Sequence, residues 1–156
     1  MQNGMEINNI SYHLYEESPD PSVFQLLDDL YHRLFDDADS KLLNHRLSNH
    51  SDIIILTATA GHQLVGMKIG YKYDDETFYS WLGGVNEKFR RHGIASKLAE
   101  MQEEAVVKKG YTKLRTKSMN RFKPMMALNL KNGFDIVQVY SNEYGQRKIV
   151  FEKSLT

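Results

Sequence analysis

No cysteine occurs among the 156 residues, which excludes disulfides, thiolate metal sites and a cysteine nucleophile together. An excess of charge of one sign is equally absent, since 20 basic side chains balance 20 acidic ones. A balanced chain lacks the field that non-specific nucleic-acid or anionic-membrane binding needs, so neither partner is expected. Proline occurs only three times, and no stretch is rich enough in Pro, Gly or Ser to serve as an interdomain linker. Long hydrophobic runs are missing too. The longest, such as Ile53-Ile54-Ile55-Leu56, have strand length, far short of the roughly 18 to 20 residues of a membrane helix. Met1 to Met5 has neither the basic nor the apolar region of a signal peptide, and a cytoplasmic location is the expectation. The six histidines are scattered without metal-ligand spacing, so no metal site is expected.

What is present is ordinary globular composition, with 41% apolar and 26% charged residues. That suits one domain over residues 1–156 with a proper core. Met5 to Tyr15 reads as a strand through Ile7, Ile10, Tyr12 and Leu14. Ser22, with Gln25 three positions on, looks like a capping box opening a helix whose apolar residues run from Val23 to Leu34. Ser40 to Leu47 suggests a second, short helix. Asp52–Thr59 and Leu64–Tyr73 form a hairpin about Gly61, and Thr77–Val85 is a third strand. The pair Gly83-Gly84 near its end predicts a bulge or a close backbone approach.

Ile94 to Lys109 is the clearest helix, with Ile94, Leu98, Met101 and Ala105 on one stripe and Gly110 as its stop. Tyr111–Ser118 is again a strand, and Pro124 opens a helix that ends before Gly133. Phe134–Tyr140 and Arg147–Lys153 close the chain as a hairpin. The order β, α, α, β, β, β, α, β, α, β, β is neither a strict βαβ alternation nor all-β. An α+β domain with a mixed, mostly antiparallel sheet flanked by helices follows.

The informative segment is Val85-Asn86-Glu87-Lys88-Phe89-Arg90-Arg91-His92-Gly93-Ile94-Ala95, which joins a strand to the best helix. A helix N-terminus carries free N–H groups and about half a positive charge, and so suits an anion. Gly93 allows close approach, Ala95 does not obstruct it, and Arg90, Arg91 and His92 add donors. Residue chemistry alone leaves two readings open, a phosphate or pyrophosphate site and a basic loop capping a helix, with a glycine because the turn needs one.

Arg90-x-x-Gly93-x-Ala95 resembles the Arg/Gln-x-x-Gly-x-Gly/Ala signature of the Gcn5-related N-acetyltransferases (GNAT). Val85 and Leu98 fall where that family has them. Leu128-Asn129-Leu130-Lys131-Asn132-Gly133-Phe134 is similar to the family's Leu-Tyr-x-x-x-Gly-Phe element. The resemblance implies acetyl-CoA as acyl donor, with its pyrophosphate on the amides from Arg91 to Ser96, including Ile94 and Ala95. It implies that the pantetheine arm runs beside Val85, in a V-shaped slot between two splayed parallel strands. Asn120 would approach that arm, although the family's usual asparagine falls at Phe122. The acceptor would be an amine of a small molecule or peptide, entering beside the first helices and the last hairpin. A homodimer is compatible with the sequence.

Direct transfer, as the resemblance implies, still requires a neutral amine, and an amine with a pKa of about 10.4 is nearly all protonated at neutral pH. The strand before the motif contains no carboxylate, so Glu76 at its start and Tyr79 within it are the candidate bases, acting through water. Backbone N–H groups near Gly83-Gly84-Val85 are candidates for the developing oxyanion. The tyrosine that often serves as acid in the family aligns with Asn129, which can hydrogen-bond a thiolate but not protonate it. Tyr140 and Tyr31 are the alternatives. Met119, Met125 and Met126 suit either gap filling or a pantetheine wall. Asp28-Asp29 and Asp36-Asp37 read as a solvated face, or as attraction for a cationic acceptor if they face the slot. A non-catalytic acyl-CoA-binding module is the competing reading.

Overall fold

The computed structural model describes residues 9–119 and 123–156. Among them, β-branched and aromatic runs form seven strands in one sheet of order β1-β2-β3-β4-β5-β7-β6. The strands are β1 (Ile10–Tyr15), β2 (Ile54–Ala60), β3 (Gln63–Lys72), β4 (Thr77–Val85), β5 (Lys113–Met119), β6 (Asp135–Ser141) and β7 (Arg147–Ser154). The helices are α1 (Pro21–Leu34), α2 (Ser40–Asn49), α3 (Ile94–Lys108) and α4 (Lys123–Lys131), and a single 3-10 turn spans Glu87–Phe89. Every neighbouring pair of strands is antiparallel except β4 and β5. No helix among the described residues is long and apolar enough to cross a membrane.

Each face of the sheet buries its own core. One cluster joins Ile54, Leu56, Phe78 and Leu114 of the strands to Ile94, Leu98 and Val106 of α3. The other joins Ile55, Met67, Ile69 and Tyr71 to Leu27, Leu30 and Tyr31 of α1 and Leu43 and Leu47 of α2. The alternation of Ile54, Ile55 and Leu56 between the two cores is the period of a strand buried on both sides.

Two local expectations are corrected, and a third is decided between its two alternatives. Helix α1 is capped by Asp20, not by a Ser22–Gln25 box. The Asp20 carboxylate accepts from the Val23 N–H at 3.0 Å and from Ser22 Oγ at 2.7 Å, and Pro21 occupies the first turn. An aspartate directly before a proline is the stronger signal, because the proline already suits the first helical position. Gln25 instead donates to Asp29 at 2.8 Å.

The bulge of β4 lies earlier than Gly83-Gly84. Gly70 pairs with Ser80 and Ile69 with Leu82, so Trp81 is the extra residue. Trp81 and Leu82 consequently pack against the same cluster although they are adjacent. Gly84 is the close approach: a Cβ there would lie 2.7 Å from Leu34 Cδ1. Finally, Tyr31 is a core residue, 5% exposed, with its ring against Phe35 and Trp81 rather than free for proton transfer.

Candidate active site

The parallel pairing of β4 and β5 is short. It runs from Thr77↔Lys113 to Ser80↔Thr116 and stops, with Thr116 Oγ1 closing the last rung onto the Ser80 carbonyl at 3.0 Å. Beyond that rung the β5-facing edge of β4, from Trp81 to Val85, has no strand partner among the described residues. The bulge at Trp81 bends β4 where the strands part. A cleft of about 1270 Å³ occupies the parting and reaches both faces, with Trp81 and Arg46 on one side and Ser96 and Gln102 on the other.

A smaller hollow of about 240 Å³ adjoins it, lined by Val85, Phe89, Arg90, Arg91, Gly93, Ile94, Ala95 and Ser96. Two residues of this loop are left-handed, Arg91 at φ 67° and Gly93 at φ 78°. For a non-glycine residue such a conformation costs about 1–3 kcal/mol, and it turns successive N–H groups toward one point. A Cβ on Gly93 would meet nothing within 4 Å, so the glycine is required by the backbone angle and the space above it is open.

Asp20 and Asp39 cap α1 and α2 with side-chain oxygens, whereas Gly93 gives α3 no side-chain cap. The first amides of α3 are left for an external acceptor, as an anion site requires. Arg90 folds inward, its Nε donating to the Val85 carbonyl at 3.0 Å. Arg91 and His92 are exposed; Arg91 lines the hollow and His92 does not.

At the throat of the cleft two buried polar atoms have no hydrogen-bond partner among the described residues: Gln102 Oε1, on a residue with no exposed surface, and Ser118 Oγ. Gln102 Nε2 donates to Ser80 Oγ at 3.1 Å, which orients the unpaired oxygen. An unsatisfied buried acceptor costs about 1–3 kcal/mol, so the throat suits a ligand with amide groups better than a hydrocarbon. Sequence reading missed both residues. Gln102 lies within a helix otherwise read only for its apolar stripe, and Ser118 is an ordinary strand serine.

Tyr79, Tyr140 and Asn129 all line the cleft. Lys117 draws the two tyrosines together, its ammonium 5.5 Å from the Tyr79 ring and 5.9 Å from the Tyr140 ring. Burial, with Tyr71 beside it, holds the Tyr79 phenol well above its ordinary value, so it is a neutral donor at physiological pH. Asn129 is buried on α4, and its carbonyl receives the Phe134 N–H at 3.0 Å.

Glu76 stands elsewhere. It is exposed at the paired end of β4, its carbonyl bound by the Thr112 and Lys113 amides, and it does not line the cleft. Asn120 lies outside the described residues. Met125 lines the cleft and Met126 does not. Asp28, Asp29, Asp36 and Asp37 all lie off the cleft; Asp28 accepts from Ser40 Oγ at 2.8 Å, tying α1 to the start of α2.

This mixed sheet with one splayed parallel pair, and an uncapped helix N-terminus beside the opening, is the acyl-CoA N-acyltransferase architecture. Residues 20–134 match the model of the acetyltransferase (GNAT) family, and the chain belongs to that family. No curated protein matches. Solved structures share the fold at low identity. A GNAT-family acetyltransferase from Elizabethkingia anophelis with acetyl-CoA bound is 22% identical, with TM-score 0.73, covering 94% of this chain and 99% of that one. The ribosomal-protein-S18-alanine N-acetyltransferase of Escherichia coli is 13% identical, with TM-score 0.76 and coverage of 94% and 95%. An aminoglycoside 6'-N-acetyltransferase complexed with coenzyme A is 16% identical, with TM-score 0.74 and coverage of 92% and 97%.

Proposed function

We propose that this chain is an acetyl-CoA-dependent N-acetyltransferase that moves the acetyl group directly to an amine of a small molecule or peptide. The observation that carries the reading is the uncapped N-terminus of α3, with left-handed Arg91 and Gly93, opening onto a cleft that passes between β4 and β5. Bound there, acetyl-CoA supplies an activated thioester. The amides from Arg91 to Ser96 hold its pyrophosphate, and the free edge of β4 near Val85, with Gln102 and Ser118, receives the amides of its arm. The acetyl-CoA bound in the Elizabethkingia anophelis neighbour and the coenzyme A bound in the aminoglycoside 6'-N-acetyltransferase support acetyl-CoA as the donor.

The donor enters from the α3 side, so the acceptor amine enters from the α1 and α2 side. Its nitrogen bonds to the acetyl carbon as the carbon–sulfur bond breaks and sulfur leaves with the electron pair. Two protons leave the nitrogen through water held by Tyr79, the ammonium proton before attack and a second as the amide forms. Tyr140 returns a proton to the thiolate, for which a pKa of about 8.5 makes full protonation unnecessary. Amides of the Gly83–Val85 edge face the oxygen that gains charge. Glu76, exposed and outside the cleft, has no direct part in this scheme.

A second reading, a non-catalytic acyl-CoA-binding module, is favoured by Asn129 standing where a tyrosine is common and by the lining carboxylates among the described residues being confined to α3, at Glu100, Glu103 and Glu104. Two measurements separate the readings: thermal stabilisation by acetyl-CoA, and release of free thiol with a panel of amines. Stabilisation with amine-dependent thiol release supports the enzyme. Stabilisation without turnover on any amine supports the module. No stabilisation at millimolar acetyl-CoA rejects both.

A further inference from the structure

The cleft sorts its charges by face. Its acidic lining residues, Glu100, Glu103 and Glu104, all belong to α3, and Glu103 is paired to Lys153 at 3.0 Å. On the opposite half, beneath α1 and α2, the charged lining residues are cations. Arg46 lies 4.7 Å over the Trp81 ring and donates Nη1 to Tyr71 Oη at 2.5 Å. Lys117 sits between Tyr79 and Tyr140. Lys148 is the cross-strand neighbour of Tyr140 and so shares its face. None of these three forms an ion pair with another described residue. Tyr71 contacts both Trp81 and Tyr79, with centroids at 6.4 and 5.6 Å, so Arg46 and Lys117 are joined by a continuous aromatic wall.

We infer that the acceptor is a small amine bearing an anionic group, held among Arg46, Lys117 and Lys148 with its apolar part against Trp81 and Tyr71. The inference rests on the acetyl transfer proposed above. Cations set against aromatic rings and lacking carboxylate partners are matched by a carboxylate or phosphate, which forms charge-assisted hydrogen bonds with each of them. The same cations act on the reacting nitrogen. A positive charge nearby disfavours the ammonium form, lowers the amine's pKa and raises the fraction that can attack. They also repel diamines, opposite to the preference that acids facing the slot would have produced.

The test uses matched acceptors built on several side chains: an amino acid, its aminophosphonate analogue and its carboxamide, with 1,4-diaminobutane as the cationic comparison. With the acetyl-CoA stabilisation established first, kcat/KM for the anionic members should exceed that for the carboxamide by about tenfold or more, the usual worth of a hydrogen bond to a charged group. The aminophosphonate and the amino acid separate phosphate from carboxylate recognition. Arg46→Gln should bring the anionic-to-neutral ratio toward one, and Lys117→Glu should invert it and admit 1,4-diaminobutane. The ratio is read within one preparation, so partial loss of folding does not alter it. Acetyl-CoA stabilisation with no preference for anionic members, or a preference unchanged in both variants, overturns the inference and leaves acetyl transfer standing. Absence of acetyl-CoA stabilisation overturns both.

Discussion

Ser96→Asp tests the pyrophosphate site by moving stability and ligand binding in different directions. Ser96 is the third residue of α3, exposed, and lines the hollow beside Gly93. A carboxylate in the first turn of a helix that lacks a side-chain cap should stabilise it by about 0.3–1 kcal/mol. Glu100, one turn on, takes back a few tenths of that. The unliganded protein should therefore keep or slightly raise its melting midpoint.

Acetyl-CoA would meet the new charge directly. Two like unit charges 4 Å apart repel by about 1 kcal/mol in bulk water and about 4 kcal/mol at an effective dielectric of 20. A pyrophosphate with two negative charges should thus lose at least about 2 kcal/mol, or roughly thirtyfold in affinity. At a hundredfold excess over its dissociation constant a ligand stabilises by about 2.7 kcal/mol, and after a thirtyfold loss by about 0.9 kcal/mol. For a domain of this size the first figure is a shift of about 5–11 °C and the second about 2–4 °C. Scanning fluorimetry at fixed acetyl-CoA, with titration calorimetry for the constant, reads both. A variant that keeps the parental shift would refute the placement of the pyrophosphate. A clearly lowered midpoint without ligand would refute the argument from the uncapped helix.

Gly70→Ala should cost about 1–3 kcal/mol in urea denaturation, because the new methyl group meets the Phe78 ring and lies 2.5 Å from the Tyr79 carbonyl, a backbone atom that cannot swing aside. Desolvation holds the Lys68 ammonium, which lines the cleft, below its ordinary value, so at neutral pH, where lysine is protonated in the unfolded chain, its burial costs folding stability. Lys68→Met should raise stability at pH 7, and the gain should shrink as pH rises toward about 10.4, where lysine is uncharged in the unfolded chain too; equal gain at pH 7 and pH 10 would count against this. The Tyr79 phenol is raised by burial, and Tyr111 by burial and its hydrogen bond to Asp52. Their folded values lie above the unfolded one, so the stability they contribute is complete below about pH 10 and is lost as pH rises through the folded values. In an alkaline titration Tyr79 and Tyr111 should ionise only with the loss of native ellipticity; their tyrosinate absorbance appearing in a fully folded protein, identified by its loss in Tyr79→Phe and Tyr111→Phe, would contradict the assignment.

The elements and the left-handed loop ahead of α3 were legible because their causes are local. Helix α3 announces itself by an apolar stripe and Gly110, the strands by β-branched runs, and the loop by Arg90, Gly93 and Ala95 ahead of a helix start. Even the missed cap at Asp20 was present as a local signal, next to Pro21. What the sequence by itself determined was therefore the order of elements, the mixed sheet and the place where an anion can meet a helix. The tertiary structure decided the rest, because it depends on residues far apart in the chain. Pairing of β4 with β5 ends at Ser80 and Thr116, 36 positions apart, and only that ending opens the cleft. Register sets Trp81 as the bulge, and folding brings Arg46 over Trp81 and Lys117 between Tyr79 and Tyr140. Periodicity within a single element carries no information about which charged side chains will share a cavity, so the cationic, aromatic half of the site appears only when the sheet is assembled.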